Sequence, residues 1–364
     1  MEHEPSYTDY QSSSTLLLRC SLDSKGSHTS FEWTDYCMPV FRKLQVFDEI
    51  DGDDYIDSVR GHETLRFLLT HKKNVSPVRL AIDDRFILKI IGKYQMKAFL
   101  DMLPKYYQHM KKYRNSLLTS FYGLHVVKPQ GGPKVRFIVA KNFLRTNLSM
   151  HKQFVIRGSS NVHKSGDVED LNMAFQLSAP LRSILVRQLK HDCSFLEDIG
   201  LTNYSLLLGM HISSAPFETV LHARHASSQS INDIFKSSDA NELENGDADQ
   251  DAASDKDSVS SCPLVIEGKL GVKMGARAVR RNKECNFMPS QTTGRDPQNN
   301  VILYFGIIEM VPSSSMLKHV EHIFRSLNSD SPSVSSFNPK TYSARFQENV
   351  CSIFPENDYD GNML

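Results

Sequence analysis

The chain has 364 residues, with 42 Lys and Arg against 42 Asp and Glu, so its formal net charge is zero. Hydrophobic residues make up 40% and charged residues 23%, the balance of an ordinary globular protein with a sizeable core. The longest apolar run, Val301 to Val311, is too short to cross a bilayer and carries Glu309; the start "MEHEPSYTDYQSSS" lacks the basic and apolar regions of a secretory signal.

In chain order, residues 1–30 are Ser-rich and poorly patterned and read as a disordered tail. From "FEWTDYCMPVFRKLQVF" onward, Phe31, Trp33, Met38, Val40, Phe41, Leu44 and Val46 fall at helical spacing. "DEIDGDDYID" (Asp48 to Asp57) invites a calcium-loop reading, but Tyr55 and Ile56 stand where a ligand and the turn glycine belong, so a solvated turn is expected. "DDRFILKII" reads as a strand. "QMKAFLDMLPKYYQHMKKY" reads as an amphipathic helix broken or kinked at Pro104. "SLLTSFYGLHVVK" and "KVRFIVAKNF" read as two strands joined by the turn "PQGGP".

After Asn142 the pattern changes. "LRSILVRQLKHDCSFLEDIG" predicts a helix ending near Gly200. A disordered acidic insert is expected over about 222–262: between Ser227 and Cys262 nine acidic residues face Lys236 and Lys256, a net −7. The remainder then carries +7, which suits an anionic partner or is simply a solvated surface. "VILYFGIIEM" predicts a strand, "SMLKHVEHIFRSL" an amphipathic helix and "PKTYSARFQENVCSIF" a last helix. These elements predict an α+β protein of two lobes, residues 31–142 and 143–364, with the site in the cleft between them. The six cysteines form no C-x-x-C pair and read as free thiols of a reducing compartment, in the cytoplasm or on a membrane's cytoplasmic face.

Zinc-protease spacing, a Walker loop, a dinucleotide fingerprint and a G-x-S-x-G elbow are missing, and no basic-aromatic pattern points to nucleic acid. Three features remain. Lys89 stands within the strand "RFILKI", either solvated or facing phosphate. Arg157 precedes Gly158 and Ser159 in "VIRGSS", either a plain turn or a phosphate-holding loop. Glu309 ends a buried strand, either exposed or able to hold Mg²⁺.

Taken in order, "FEWTDYCMPVFRKL", the run Met102 to Val139, "HDCSFLE", "NYSLLLGMH", "KLGVKM", "VILYFGIIEM" and "PKTYSARF" resemble the phosphatidylinositol phosphate kinases over about residues 31–360. The resemblance implies a two-lobed lipid-kinase fold, distantly protein-kinase-like. It implies transfer of the ATP γ-phosphoryl, with Mg²⁺, to a phosphoinositide at the cytoplasmic face of the plasma membrane. Lys89 matches the family's phosphate-binding lysine. Lys318 matches the first of a basic pair that engages anionic lipid, and His319 replaces the second. Glu321 matches the branch that acts on phosphatidylinositol 4-phosphate. Protein partners are a further expectation of the scaffold reading below.

The sequence departs from that pattern at four places. Asn203 stands where the family has the aspartate that acts on the substrate hydroxyl; an amide cannot take a proton, and losing a general base costs ~10²–10⁴ in rate. Glu309 stands for a Mg²⁺-binding aspartate, shifting the carboxylate by about one methylene, when even a 1 Å misplacement costs on the order of 10²-fold. "HKKNVSPVRLAIDD" lacks the phosphate-loop glycines, with Lys72 and Val75 in their places and Pro77 removing a donor. "VIRGS" replaces "DLKGS", so Arg157 stands for a lysine and Val155 for an aspartate. The expectation is therefore a phosphatidylinositol 4-phosphate 5-kinase with impaired turnover, or a phosphoinositide-binding or partner-binding pseudokinase scaffold.

Overall fold

The structure is a computed structural model. It describes residues 4–21, 28–61, 64–65, 67–68, 78–81, 83–158, 173–213, 269–280, 300–311 and 338–356. Two antiparallel sheets divide the chain between residues 141 and 152. The first uses β1 (Ser13–Ser21), β2 (His28–Tyr36), β3 (Val78–Leu80), β4 (Phe86–Ile91), β5 (Phe121–Pro129) and β6 (Val135–Lys141) in the order β1-β2-β5-β6-β4-β3. The second uses β7 (Lys152–Arg157), β8 (Met173–Gln176), β9 (Ser205–Ile212), β10 (Met274–Arg280) and β11 (Asn300–Ile308) in the order β7-β9-β11-β10-β8. The described helices are α1 (Met38–Phe47), α2 (Gly52–Val59), α3 (Lys93–Lys112), α4 (Ala179–Asp198) and α5 (Pro339–Ile353). This is the mixed α+β architecture expected from the sequence.

Several local readings are corrected. Residues 13–21 form β1, not a patternless tail; as an edge strand that pairs with β2 it leaves Leu16 and Leu17 exposed, so no buried face marks it in the sequence. The stretch 31–47 is not one helix. Phe31, Trp33 and Asp35 point inward at the period-2 spacing of β2, Cys37 turns the backbone at φ 51°, and α1 begins only at Met38 with Pro39 in its first turn. The acidic stretch after Asp48 is α2, capped by the Asp51 carboxylate, which accepts from Asp53 N and Asp54 N at 2.9 and 3.0 Å. Helix α3 runs through Pro104 without a break, because Pro104 sits on its exposed face, where a carbonyl without a helical partner meets water. The strands expected at 83–91, 116–128, 134–143 and 301–310 are β4, β5, β6 and β11. Helix α4 ends as anticipated: Gly200, at φ 67°, donates to Glu197 O at 2.8 Å and Leu201 to Leu196 O at 2.9 Å. The acidic insert at 222–262 and the amphipathic segment 315–327 lie outside the described residues.

One hydrophobic core runs through both sheets. It joins Phe41, Phe99, Tyr106 and Phe121 of the first half to Phe195, Leu206, Phe305 and Phe346 of the second. A smaller cluster lies on the opposite face of the first sheet, around Trp33, Tyr55, Phe86 and Phe137. Inside it sits a polar network. Asp35 accepts from Trp33 Nε1 and from Arg60 at 2.8 Å, and lies 2.7 Å from His125 Nδ1; His125 Nε2 lies 2.7 Å from the Tyr55 hydroxyl. Among the described residues Cys37, Cys193 and Cys351 are free thiols, and no described helix is long and apolar enough to cross a membrane.

Candidate functional site

The register of the second sheet brings three sequence-predicted positions to one edge. Arg157 at the end of β7 faces Ser205 at the start of β9, and Ser205 faces Ile308 at the end of β11. Gly158, Asn203 and Glu309 therefore leave the same edge, each one or two residues beyond that row. The reason is chain direction: β9 runs antiparallel to both neighbours, so its beginning meets their ends.

Asn203 is exposed, in the turn between Gly200 and β9, with φ at 65°. Asparagine tolerates this left-handed conformation better than most side chains. Its neighbour Tyr204 is fully buried, and the Tyr342 hydroxyl of α5 donates to Tyr204 O. Glu309 is also exposed and also left-handed, at φ 65°. The buried Ser205 hydroxyl donates to Glu309 Oε2 at 2.8 Å, which directs the carboxylate along the sheet edge. Sequence reasoning missed Ser205; its position next to Tyr204 in "NYSLLL" is the signal.

Lys89 comes from the other half of the molecule. In β4 it pairs with Val78 and Ile138, half-buried on the face opposite Phe86 and Leu88. Burial pushes its ammonium below the usual lysine range, and the charge of Glu309 pulls it back up. The lysine of the first sheet thus lies near enough to the carboxylate of the second to feel its charge.

Arg157 is held through its backbone, whose carbonyl accepts from Asn349 Nδ2 of α5 at 2.6 Å. Gly158 has a plain packing reason to be glycine. A Cβ there would stand 2.5 Å from Tyr342 O and 3.0 Å from Phe346 Cβ. Burial pushes the pKa of the Tyr342 phenol up to about 12. Ser159, Lys318, His319 and Glu321 lie outside the described residues, as do Lys72, Val75 and Pro77.

Among the described residues no group of three or more His, Cys, Asp or Glu could hold a metal unaided. Mg²⁺ is ordinarily held by one or two carboxylates together with phosphate oxygens. Glu309 offers one carboxylate, at the same sheet edge as Asn203.

The family model for phosphatidylinositol-4-phosphate 5-kinase matches residues 60–353. The chain belongs to this family. It is 32% identical to phosphatidylinositol 4-phosphate 5-kinase 10 of Arabidopsis thaliana, over 92% of each chain. It is 30% identical to the putative phosphatidylinositol 4-phosphate 5-kinase 11 of the same plant, over 92% of this chain and 93% of that one. Phosphatidylinositol 4-phosphate 5-kinase 1 is 34% identical over 90% of this chain and 45% of its own. The chain spans about half the length of that relative and of phosphatidylinositol 4-phosphate 5-kinases 3 and 9 of the same plant.

Proposed function

We propose that this family member holds ATP at the edge formed by Arg157, Asn203 and Glu309 and transfers its γ-phosphoryl to phosphatidylinositol 4-phosphate far more slowly than an ordinary kinase does. The observation that carries the reading is Asn203. It occupies the exposed turn at the head of β9 and brings an amide where proton removal from a ring hydroxyl needs a carboxylate.

The chain's own residues supply charge and orientation. Lys89, its ammonium partly desolvated, pairs with phosphate oxygens. Arg157 adds a second cation at the end of β7. Asn203 orients the attacking hydroxyl by hydrogen bonding but leaves its proton in place. Glu309, steered by Ser205, would hold Mg²⁺ together with the phosphates; bound Mg²⁺ neutralises charge on the transferring group. Lys318, His319 and Glu321 are proposed to meet the anionic lipid at the cytoplasmic face of the plasma membrane.

A second reading, a non-catalytic scaffold that binds phosphoinositide or protein partners, is favoured by Asn203, an exposed amide at the head of β9 that cannot take a proton. The test of both is purified protein with labelled ATP, Mg²⁺ or Mn²⁺, and phosphatidylinositol 4-phosphate vesicles. Slow but Lys89-dependent bisphosphate formation is expected. Turnover at an ordinary kinase rate, on the order of 1–100 s⁻¹, refutes impairment; product equal to a Lys89→Met control leaves the scaffold reading.

A further inference from the structure

Helix α4 buries a carboxylate that joins the two halves of the molecule. Asp192 has no exposed surface. His109 Nε2 of α3 lies 2.7 Å from its Oδ1, and Ser116 Oγ and Gln188 Nε2 donate to the same oxygen at 2.8 and 2.9 Å. Leu117 N donates to Oδ2 at 2.7 Å. A charge this deep is tolerated only when donors surround it, and here three of the four come from outside α4.

The segment 116–119 that supplies two of those donors continues to the site. Ile307 N donates to Leu117 O at 2.7 Å, and Ile307 O accepts from Thr119 N at 3.0 Å and Thr119 Oγ1 at 2.6 Å. Leu118 and Ile307 form a parallel bridge. Ile307 lies two residues before Glu309. In the other direction the segment leads into β5, which pairs with β6, which pairs with the Lys89 strand. Lys89 and Glu309 are thus both reached from the same four residues.

We propose that Asp192 is a positioning residue: by anchoring Ser116 and Leu117 it fixes Ile307, and so sets Glu309 relative to Lys89. The proposal rests on the reading of Lys89 and Glu309 as the phosphate-facing pair. The contrasting role is a local cap, in which Asp192 satisfies the 116–117 turn and nothing beyond it. The two differ in what happens at Ile307.

Amide hydrogen exchange separates them without needing turnover. Asp192→Asn keeps the shape but sets an NH₂ against one of the donors. On the positioning role, exchange at Leu117, Thr119 and Ile307 rises on the order of tenfold or more, while Val127 and Val139 in the first sheet stay within about twofold. Faster exchange at Leu117 with Ile307 unchanged overturns the proposal, as does an even rise across the molecule. Should Asp192→Asn fail to fold, Gln188→Leu removes one donor to Asp192 without touching the 116–119 segment and is read at the same amides, with the same pattern required. A parallel titration with ATP, with and without Mg²⁺, reads the underlying site. Wild-type protein that binds no ATP sinks the nucleotide reading while the exchange result still decides the role of Asp192. If ATP does bind, Asp192→Asn is expected to weaken the Mg²⁺-dependent part of its affinity about tenfold or more, and an unchanged affinity overturns the proposal.

Discussion

Gly158 stands at the seam between a phosphate-loop reading and a packing reading, and Gly158→Ala separates the two. The added Cβ would lie 2.5 Å from the carbonyl oxygen of Tyr342 and 3.0 Å from Phe346 Cβ. The nearest atom is backbone, so a side-chain rotation cannot relieve it. Helix α5 must retreat by a few tenths of an ångström or more, and with it the Tyr342 hydroxyl that holds Tyr204 O beside Asn203. Overpacking of this kind costs about 1–3 kcal/mol. Equilibrium unfolding in urea should register that loss as a lower midpoint at an unchanged slope. Phe346→Ala by itself should cost about 3–5 kcal/mol, because Phe346 is fully buried against Tyr204. If Gly158→Ala unfolds within about 0.5 kcal/mol of wild type, the close approach of α5 to β7 is not what requires glycine there, and the phosphate-loop reading takes its place.

Asn203→Asp combined with Glu309→Asp should raise bisphosphate formation by ~10²-fold or more in the vesicle assay; no gain would place the defect in the phosphate loop. Cutting the tie between Lys269 and Asp48, 2.9 Å apart and 18% and 7% exposed, is expected to cost about 3–5 kcal/mol. Burial raises the Asp48 carboxyl, yet Lys269 and Lys141 hold it well below the usual range, so Lys269→Met leaves the charge under-compensated. Thermal unfolding of that variant within a degree of wild type would refute the pairing. Burial lowers the His125 pKa below its ordinary 6.5, so the native ring stays neutral where the unfolded chain binds a proton. Stability should then fall as pH drops below about 6.5, by up to ~1.4 kcal/mol per unit. His125→Gln should flatten that slope, and an unaltered slope would assign it elsewhere.

Strand β11 was legible because it is buried on both faces: "VILYFGIIEM" is an unbroken apolar run, and β11 is buried along nearly its whole length, whereas the more exposed β7 and β8 carry no such run and were not read as strands. Helix α4 was legible for the opposite reason, a one-sided apolar pattern that ends at Gly200. Edge strand β1 was not legible, since it leaves Leu16 and Leu17 in water. At Phe31 and Trp33 a period of 2 ran into a helix without a Gly or Pro between Phe31 and Met38, and the two patterns merged. Lys89, Arg157, Asn203 and Glu309 could be picked out as residue types, but their approach depends on register between strands far apart in sequence. Ser205 and Tyr342 act through their neighbours' backbone or carboxylate, and neither carries a composition signal.

The two altered positions are not equivalent, and the backbone says why. Asn203 and Glu309 both hold φ at 65°, a region that Asp and Asn enter far more readily than longer side chains. Asn203 therefore suits its turn, and its chemistry, not its conformation, separates it from an aspartate. Glu309 carries a conformational cost that an aspartate would largely avoid. The Ser205 hydrogen bond offsets part of that cost and at the same time fixes which way the longer carboxylate points. Restoring the aspartate at 309 should thus be tolerated by the fold even as it gives up the Ser205 contact, whereas restoring it at 203 changes charge at an exposed turn and little else. Both substitutions are thus expected to leave the frame of this edge intact, so the paired Asn203→Asp and Glu309→Asp variant tests the two functional groups themselves.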